Sequence, residues 1–100
     1  MSQSIEIDAK SVNELDSYRM IDIRTIDEVV SLPLMGDHDH IPMDQLLNNP
    51  ECIKDDEVII LVCAAGIRSG MAAEWFRKQG FSKVYSLIGG QPVWNDYHNL

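Results

Sequence analysis

The sequence predicts an α/β fold built on a parallel sheet, and three observations carry that prediction. Val58, Ile59, Ile60, Leu61 and Val62 form an unbroken aliphatic run, the pattern of a strand covered on both faces. The run stops at Cys63, and a loop containing Gly66 leads to Arg68 and Ser69. Met71, Ala72, Trp75 and Phe76 then recur at helical spacing, so a helix begins near Ser69. Open α/β sheets place their ligands at such a point, outside the carboxyl end of a strand and beside a helix amino terminus.

The remaining elements follow in chain order. Ser4 to Asp8 alternates and predicts a short edge strand. Ser11 and Glu14 have capping-box spacing, which predicts a short helix running to about Asp16. Tyr18 to Arg24 reads as the second strand and offers Met20, Ile21 and Ile23 to the core. Asp22 and Arg24, two apart on that strand, point to the same side; on position alone they read as a surface ion pair at the strand end. Thr25 and Glu28 repeat the capping-box spacing and begin a short helix carrying Val29 and Val30. Pro42 to Asn48 predicts another, closed by Asn48-Asn49-Pro50. Ser69 to Gln79 is the best-specified helix, with Gly80 as its carboxyl-terminal cap and with Arg77 and Lys78 where the helix dipole favours cations. Trp75 and Phe76 read as packing residues. Phe81 to Leu87 supplies a further strand centred on Val84 and Tyr85, and Gly89-Gly90 permits a tight turn into a last helix carrying Val93 and Trp94. With no repeat, linker or low-complexity segment, residues 1–100 read as one small domain.

Composition narrows the function. A net charge of −8 argues against nucleic acid and against an anionic membrane surface as partners. No stretch approaches the ~20 apolar residues of a membrane span, and Met1 to Asp8 lacks the basic start and apolar core of a signal peptide, so a cytoplasmic chain is expected. The two cysteines, Cys52 and Cys63, cannot build a disulfide framework and lack the spacing of a redox pair or a zinc site. Cys52 reads as structural or incidental. His38 and His40 alternate with Asp37 and Asp39, a pattern that would suit zinc or nickel. His98 is the only other histidine, so a solvated polar loop is expected there, and no metal.

Cys63 is the residue with chemistry to offer. A thiol at the end of a central strand and just ahead of a helix amino terminus faces free N–H groups and the positive end of the dipole. Both favour thiolate, which lowers the pKa and makes the sulfur a nucleophile.

The segment C-A-A-G-I-R-S-G, Cys63 to Gly70, resembles the active loop of the rhodanese-like family. G-F-S-K-V-Y-S-L-I-G-G-Q-P-V-W, Gly80 to Trp94, resembles that family's carboxyl-terminal signature; I-D-I-R at Ile21 to Arg24 and I-P-M-D-Q-L at Ile41 to Leu46 resemble its earlier motifs. The resemblance spans nearly the whole chain. It implies a small open, mostly parallel sheet of about five strands with helices on both faces. It also implies a sulfurtransferase that carries sulfane sulfur as a persulfide on Cys63, the catalytic residue. Ala64, Ala65, Gly66, Ile67, Arg68 and Ser69 would cradle the outer sulfur, Asp22 and Arg24 would brace the neighbouring loops, and no cofactor would be needed. Ser31 to His40 departs from the family pattern: Leu32-Pro33-Leu34 stands where a glycine-histidine-isoleucine motif is usual.

Loop length separates sulfur from phosphate chemistry. Cysteine phosphatases place five residues between nucleophile and arginine, enough for an amide ring to wrap a tetrahedral oxyanion. Here Ala64, Ala65, Gly66 and Ile67 alone separate Cys63 from Arg68, and Val62 precedes the cysteine. The shorter loop suits one added sulfur atom. Expected partners are a small donor, either thiosulfate or a thiol persulfide, and a thiol or protein-cysteine acceptor. The apolar Ala64, Ala65 and Ile67 and the acidic balance favour the persulfide donor. Arg68 either orients the donor or shapes the loop through a salt bridge. The competing readings are a binding or regulatory module without turnover, a cysteine phosphatase or arsenate reductase, and a redox sensor pairing Cys52 with Cys63.

Overall fold

The computed structural model describes residues 4–99; Met1 to Gln3, the start of the stretch tested for signal-peptide character, lie outside them. Strands β1 (Glu6–Ile7), β2 (Arg19–Asp22), β3 (Asp39–His40), β4 (Ile59–Val62) and β5 (Val84–Leu87) form one sheet in the order β1-β5-β4-β2-β3. Every pairing is parallel. The helices are α1 (Ala9–Asn13), α2 (Ile26–Ser31), α3 (Met43–Asn48), α4 (Ile67–Lys78) and α5 (Gly90–His98), with a 3₁₀ turn at Pro50–Cys52. This is the predicted parallel α/β architecture.

The aliphatic run became the central strand because it alone can satisfy two apolar faces. All four residues of β4 are buried, each side chain contributing about 2 kcal/mol on burial. Ile59 and Leu61 face one core, with Leu46, Ala72, Ala73 and Phe76 from α3 and α4. Ile60 and Val62 face the other, with Ala9 and Val12 of α1 and Trp94 of α5. Right-handed crossovers put connections that run in opposite directions on opposite faces, which agrees with this division. β2 and β4 are neighbours, yet the chain leaves β2 toward α2 and leaves β4 toward α4. A crevice therefore opens beyond the carboxyl ends of these two strands, the switch point where such sheets bind ligands.

Several boundaries differ from the sequence reading for identifiable reasons. Helix α1 starts earlier than Ser11 because the Asp8 carboxylate caps it, accepting from the Ser11 N–H at 2.8 Å. The predicted box at Thr25 and Glu28 forms in full, but Val30 is exposed and α2 buries no residue. Asp39 and His40, expected in a solvated loop, pair with β2 as an edge strand. Phe81 precedes β5 and packs edge-on against Phe76, ring centroids 5.3 Å apart. Helix α4 begins at Ile67, before Ser69, and Gly80 follows its end with φ +101° as a carboxyl-terminal glycine should.

Candidate active site

Cys63 is the first residue after β4 and continues its alternation, so its side chain lies with Ile59 and Leu61 on the α4 face. That direction brings the sulfur to the amino terminus of α4. Gly66, in the left-handed region at φ +94°, is the helix N-cap and supplies no capping side chain. Cys63 Sγ takes that role instead. It accepts from the Gly66 N–H at 3.1 Å and from the Ser69 N–H at 3.3 Å, one of the donors a helix terminus leaves free. The Ser69 hydroxyl lies 3.3 Å from the same sulfur.

A second serine stands behind the first. Ser69 Oγ and Ser86 Oγ are 2.6 Å apart, and the Ser86 hydroxyl also reaches Gly66 O at 3.4 Å. Both serines are fully buried. Hydroxyls can turn, so this pair offers a proton acceptor to a thiol and a proton donor to a thiolate. Burial pushes the Cys63 thiol up, but the Ser69 hydroxyl and the Ser69, Ala65 and Gly66 main-chain N–H groups together outweigh it and hold the pKa below the ordinary thiol value.

The loop is pinned from the other side by α5. Gln91 N–H donates to Cys63 O at 2.9 Å. Gly90 lies so close that a Cβ there would sit 2.3 Å from Cys63 O and 2.8 Å from Ala64 O.

Two guanidiniums border the site, and both are paired. Arg68, in the first turn of α4, grips Glu28 of α2 with two parallel bonds of 2.8 Å each. The pair links α2 to α4. The Arg68 contact, with help from the Thr25 N–H, lowers the Glu28 carboxyl to about 2. Asp22 and Arg24 do point the same way, but they are buried, at 0% and 1% exposure, not a surface pair. Arg24 Nη2 donates to Asp22 Oδ2 at 2.8 Å and to Leu32 O at 2.8 Å, tying the end of α2 to the sheet. His40 lies 2.7 Å through Nε2 from Arg24 O, and His38 lies 2.8 Å through Nδ1 from Gly36 O. Among the described residues no three His, Cys, Asp or Glu side chains converge as metal ligands would.

A cleft of about 370 Å³ lies beside the loop, lined by residues of α2 together with Arg24, Ala64, Gln91 and Pro92. Ala64 is the loop residue it meets. Cys63 itself is 1% exposed and lies beneath the loop. A larger hollow of about 440 Å³, between Tyr18, Asp37, His38 and Glu57, includes no residue of the loop. Cys52 is exposed, and Arg19 holds its carbonyl at the end of the sheet where Arg19 pairs with Ile59. Cys63 is at the opposite end of β4, roughly 13 Å away at ~3.3 Å per residue. A direct Cys52–Cys63 disulfide is therefore out of reach.

The structure places Gly66 and Ser69 against Cys63 Sγ and turns Arg68 to Glu28. It adds Ser86, Gly90, Gln91 and the second role of Glu28, which sequence reasoning missed. Glu28 was visible as a capping residue; nothing local announces its bond to a side chain forty positions on.

A parallel α/β sheet whose central strand delivers a cysteine into a helix-end amide cradle defines a thiol-centred α/β domain. The chain belongs to the rhodanese-like domain family, whose profile matches residues 7–97. It is 31% identical over 91 residues to the putative sulfur carrier protein YrkF of Bacillus subtilis, covering 91% of this chain and 49% of that protein. It is 36% identical over 59 residues to the thiosulfate sulfurtransferase GlpE of Coxiella burnetii, covering 59% and 55%. The crystal structure of a rhodanese-like domain protein from Staphylococcus aureus superposes with a TM-score of 0.73 at 25% identity, covering 94% of this chain and 91% of that one. The chain thus spans about half the length of these two curated relatives. Among the described residues, no helix is long and apolar enough to cross a membrane.

Proposed function

We propose that this domain moves sulfane sulfur from a donor to a nucleophilic acceptor through a persulfide on Cys63. The observation that carries the reading is the convergence of the Gly66 and Ser69 N–H groups on Cys63 Sγ. Such donors stabilise an anion without needing a cation. In the first half-reaction the Cys63 thiolate attacks the outer sulfur of a thiol persulfide. A new S–S bond forms, the old one breaks, and the donor thiolate leaves with the bonding pair. With thiosulfate the leaving group is sulfite. In the second, an acceptor thiolate, free or on a protein, attacks the outer sulfur and Cys63 thiolate departs. Electrons balance across the pair, so no cofactor is called for.

Ala64 to Ser69 form the cradle, the Ser69 hydroxyl follows the change of charge on sulfur, and Asp22 and Arg24 keep the crevice wall in place. The donor approaches through the cleft over Ala64. The apolar Ala64, Ala65 and Ile67 favour a thiol persulfide over thiosulfate as the natural donor.

Intact mass after incubation with either donor tests the reading. The expected result is a gain of one sulfur atom that survives Cys52→Ser and disappears in Cys63→Ser. No gain with thiosulfate or a thiol persulfide would assign the chain to a binding module, and turnover of an aryl phosphate would assign it to phosphate chemistry.

A further inference from the structure

We propose that Glu28 sets the choice of donor: by binding Arg68 it takes the positive charge out of the crevice and turns the site against dianions such as thiosulfate. This deepens the sulfur-transfer reading and rests on it. An arginine beside a thiol cradle would ordinarily attract an anionic donor. Here both Arg68 nitrogens that face outward along the fork are bonded to the Glu28 carboxylate at 2.8 Å. The other bordering cation, Arg24, is matched by buried Asp22. Asp27 lines the same cleft, so carboxylates outnumber guanidiniums around it. A dianion entering there meets net repulsion. A thiol persulfide, with one charge on sulfur and an apolar stem, meets Leu32, Ala64 and Pro92.

Helix α2 makes Glu28 a well-placed determinant. Its Oε1 also accepts from the Thr25 N–H at 3.1 Å, which holds the carboxylate at the third helical position. Glutamine serves in that position as well as glutamate does, so Glu28→Gln removes the charge and keeps the helix start. With its counter-charge gone, Arg68 becomes available to the donor.

The test measures kcat/KM with thiosulfate and with the persulfide of 2-mercaptoethanol, using cyanide as acceptor, in the wild type, Glu28→Gln and the double variant Glu28→Gln/Arg68→Gln. The expected result is a rise of about tenfold in the thiosulfate-to-persulfide ratio for Glu28→Gln. The double variant should lose that rise, and added salt should shrink it. In the wild type, where screening acts on the repulsion, added salt should raise the same ratio. Parallel loss of activity with both donors in Glu28→Gln would make Glu28 a residue that only shapes the loop and would overturn the proposal, as would an unchanged ratio. Absence of any sulfur adduct on wild-type Cys63 would overturn the sulfur-transfer reading, and this one with it.

Discussion

Gly90→Ala tests how tightly the cysteine loop is held against α5. Three costs add at this position. Gly90 has φ +70°, where an alanine is disfavoured by about 1 kcal/mol. The new Cβ would also sit 2.3 Å from Cys63 O and 2.8 Å from the Ala64 carbonyl carbon and oxygen. These are backbone atoms and cannot rotate away as a side chain would. The loop must move, at the ~1–3 kcal/mol typical of overpacking, and the 2.9 Å bond from Gln91 N–H to Cys63 O is strained with it, adding up to about 1 kcal/mol. The expected destabilisation is about 2–5 kcal/mol, a large share of the ~5–15 kcal/mol that holds a domain folded. Gly80→Ala is the control: φ there is +101°, but a Cβ would meet nothing within 4 Å, so only the ~1 kcal/mol of backbone strain applies. Urea unfolding of both variants reads the difference as a shift in midpoint at constant slope. Equal midpoints would refute the close approach of α5 to the loop.

Four further outcomes follow from the site. In a Cys52→Ser background, iodoacetamide alkylation of Cys63 should titrate below the ordinary thiol value, and Ser69→Ala, which removes the hydroxyl that lowers it most, should move the midpoint up. Because the folded pKa is depressed, the stability Cys63 contributes is complete above the ordinary thiol pKa and is lost as pH falls through the folded value; the destabilisation by Ser69→Ala should therefore be larger at alkaline than at neutral pH. Ser86→Ala removes the 2.6 Å partner of Ser69; it should cost about 1–2 kcal/mol by thermal unfolding and raise the same alkylation midpoint. Asp22→Asn leaves buried Arg24 without its counter-charge and should cost about 3–5 kcal/mol in urea unfolding. The Glu28–Arg68 pair, with Glu28 lowered from 4.5 to about 2, supports the fold fully above pH 4.5 and loses its effect as pH falls toward 2; being a third exposed, it should be worth under about 1 kcal/mol, read as the difference between wild type and Glu28→Gln at pH 6 and pH 3.

What the sequence made legible is what local rules control. Val58 to Val62 could be placed because a run with no polar face has to be covered twice, and the box at Thr25 and Glu28 because both partners lie within one turn. The helix after Cys63 starts at Ile67, two residues before the Ser69 that the sequence predicts, because its cap is not a helix-start residue. Cys63 Sγ does that work from the end of the strand, and Gly66 carries no signal beyond its φ. Helix α1 was set from Ser11 when Asp8 offers the competing cap. Two-residue strands such as β3 have too few positions to show a period. Ser86 alternates within β5 like any inward residue, and only the fold reveals that its inward neighbour is Ser69.

Many reactive thiols owe a depressed pKa to a nearby cation, and Arg68 stands in the right sequence position to provide one. Its guanidinium, however, is engaged chiefly with Glu28, and Cys63 is lowered mainly by hydrogen-bond donors, its charge being a lesser influence on Arg68 than Glu28 is. Fixed amide dipoles hold a thiolate in a buried place without attracting free anions to it. On the proposed reading, activation of Cys63 and recognition of its donor fall mainly on different groups. In that reading Ser69 and the loop amides would set the charge on sulfur, while Glu28 and Arg68 would set what arrives. Substitutions at Ser69 should therefore shift the pH profile with both donors alike, and substitutions at Glu28 should shift donor preference at constant pH profile. A single substitution that moved both would show that one set of groups performs both tasks.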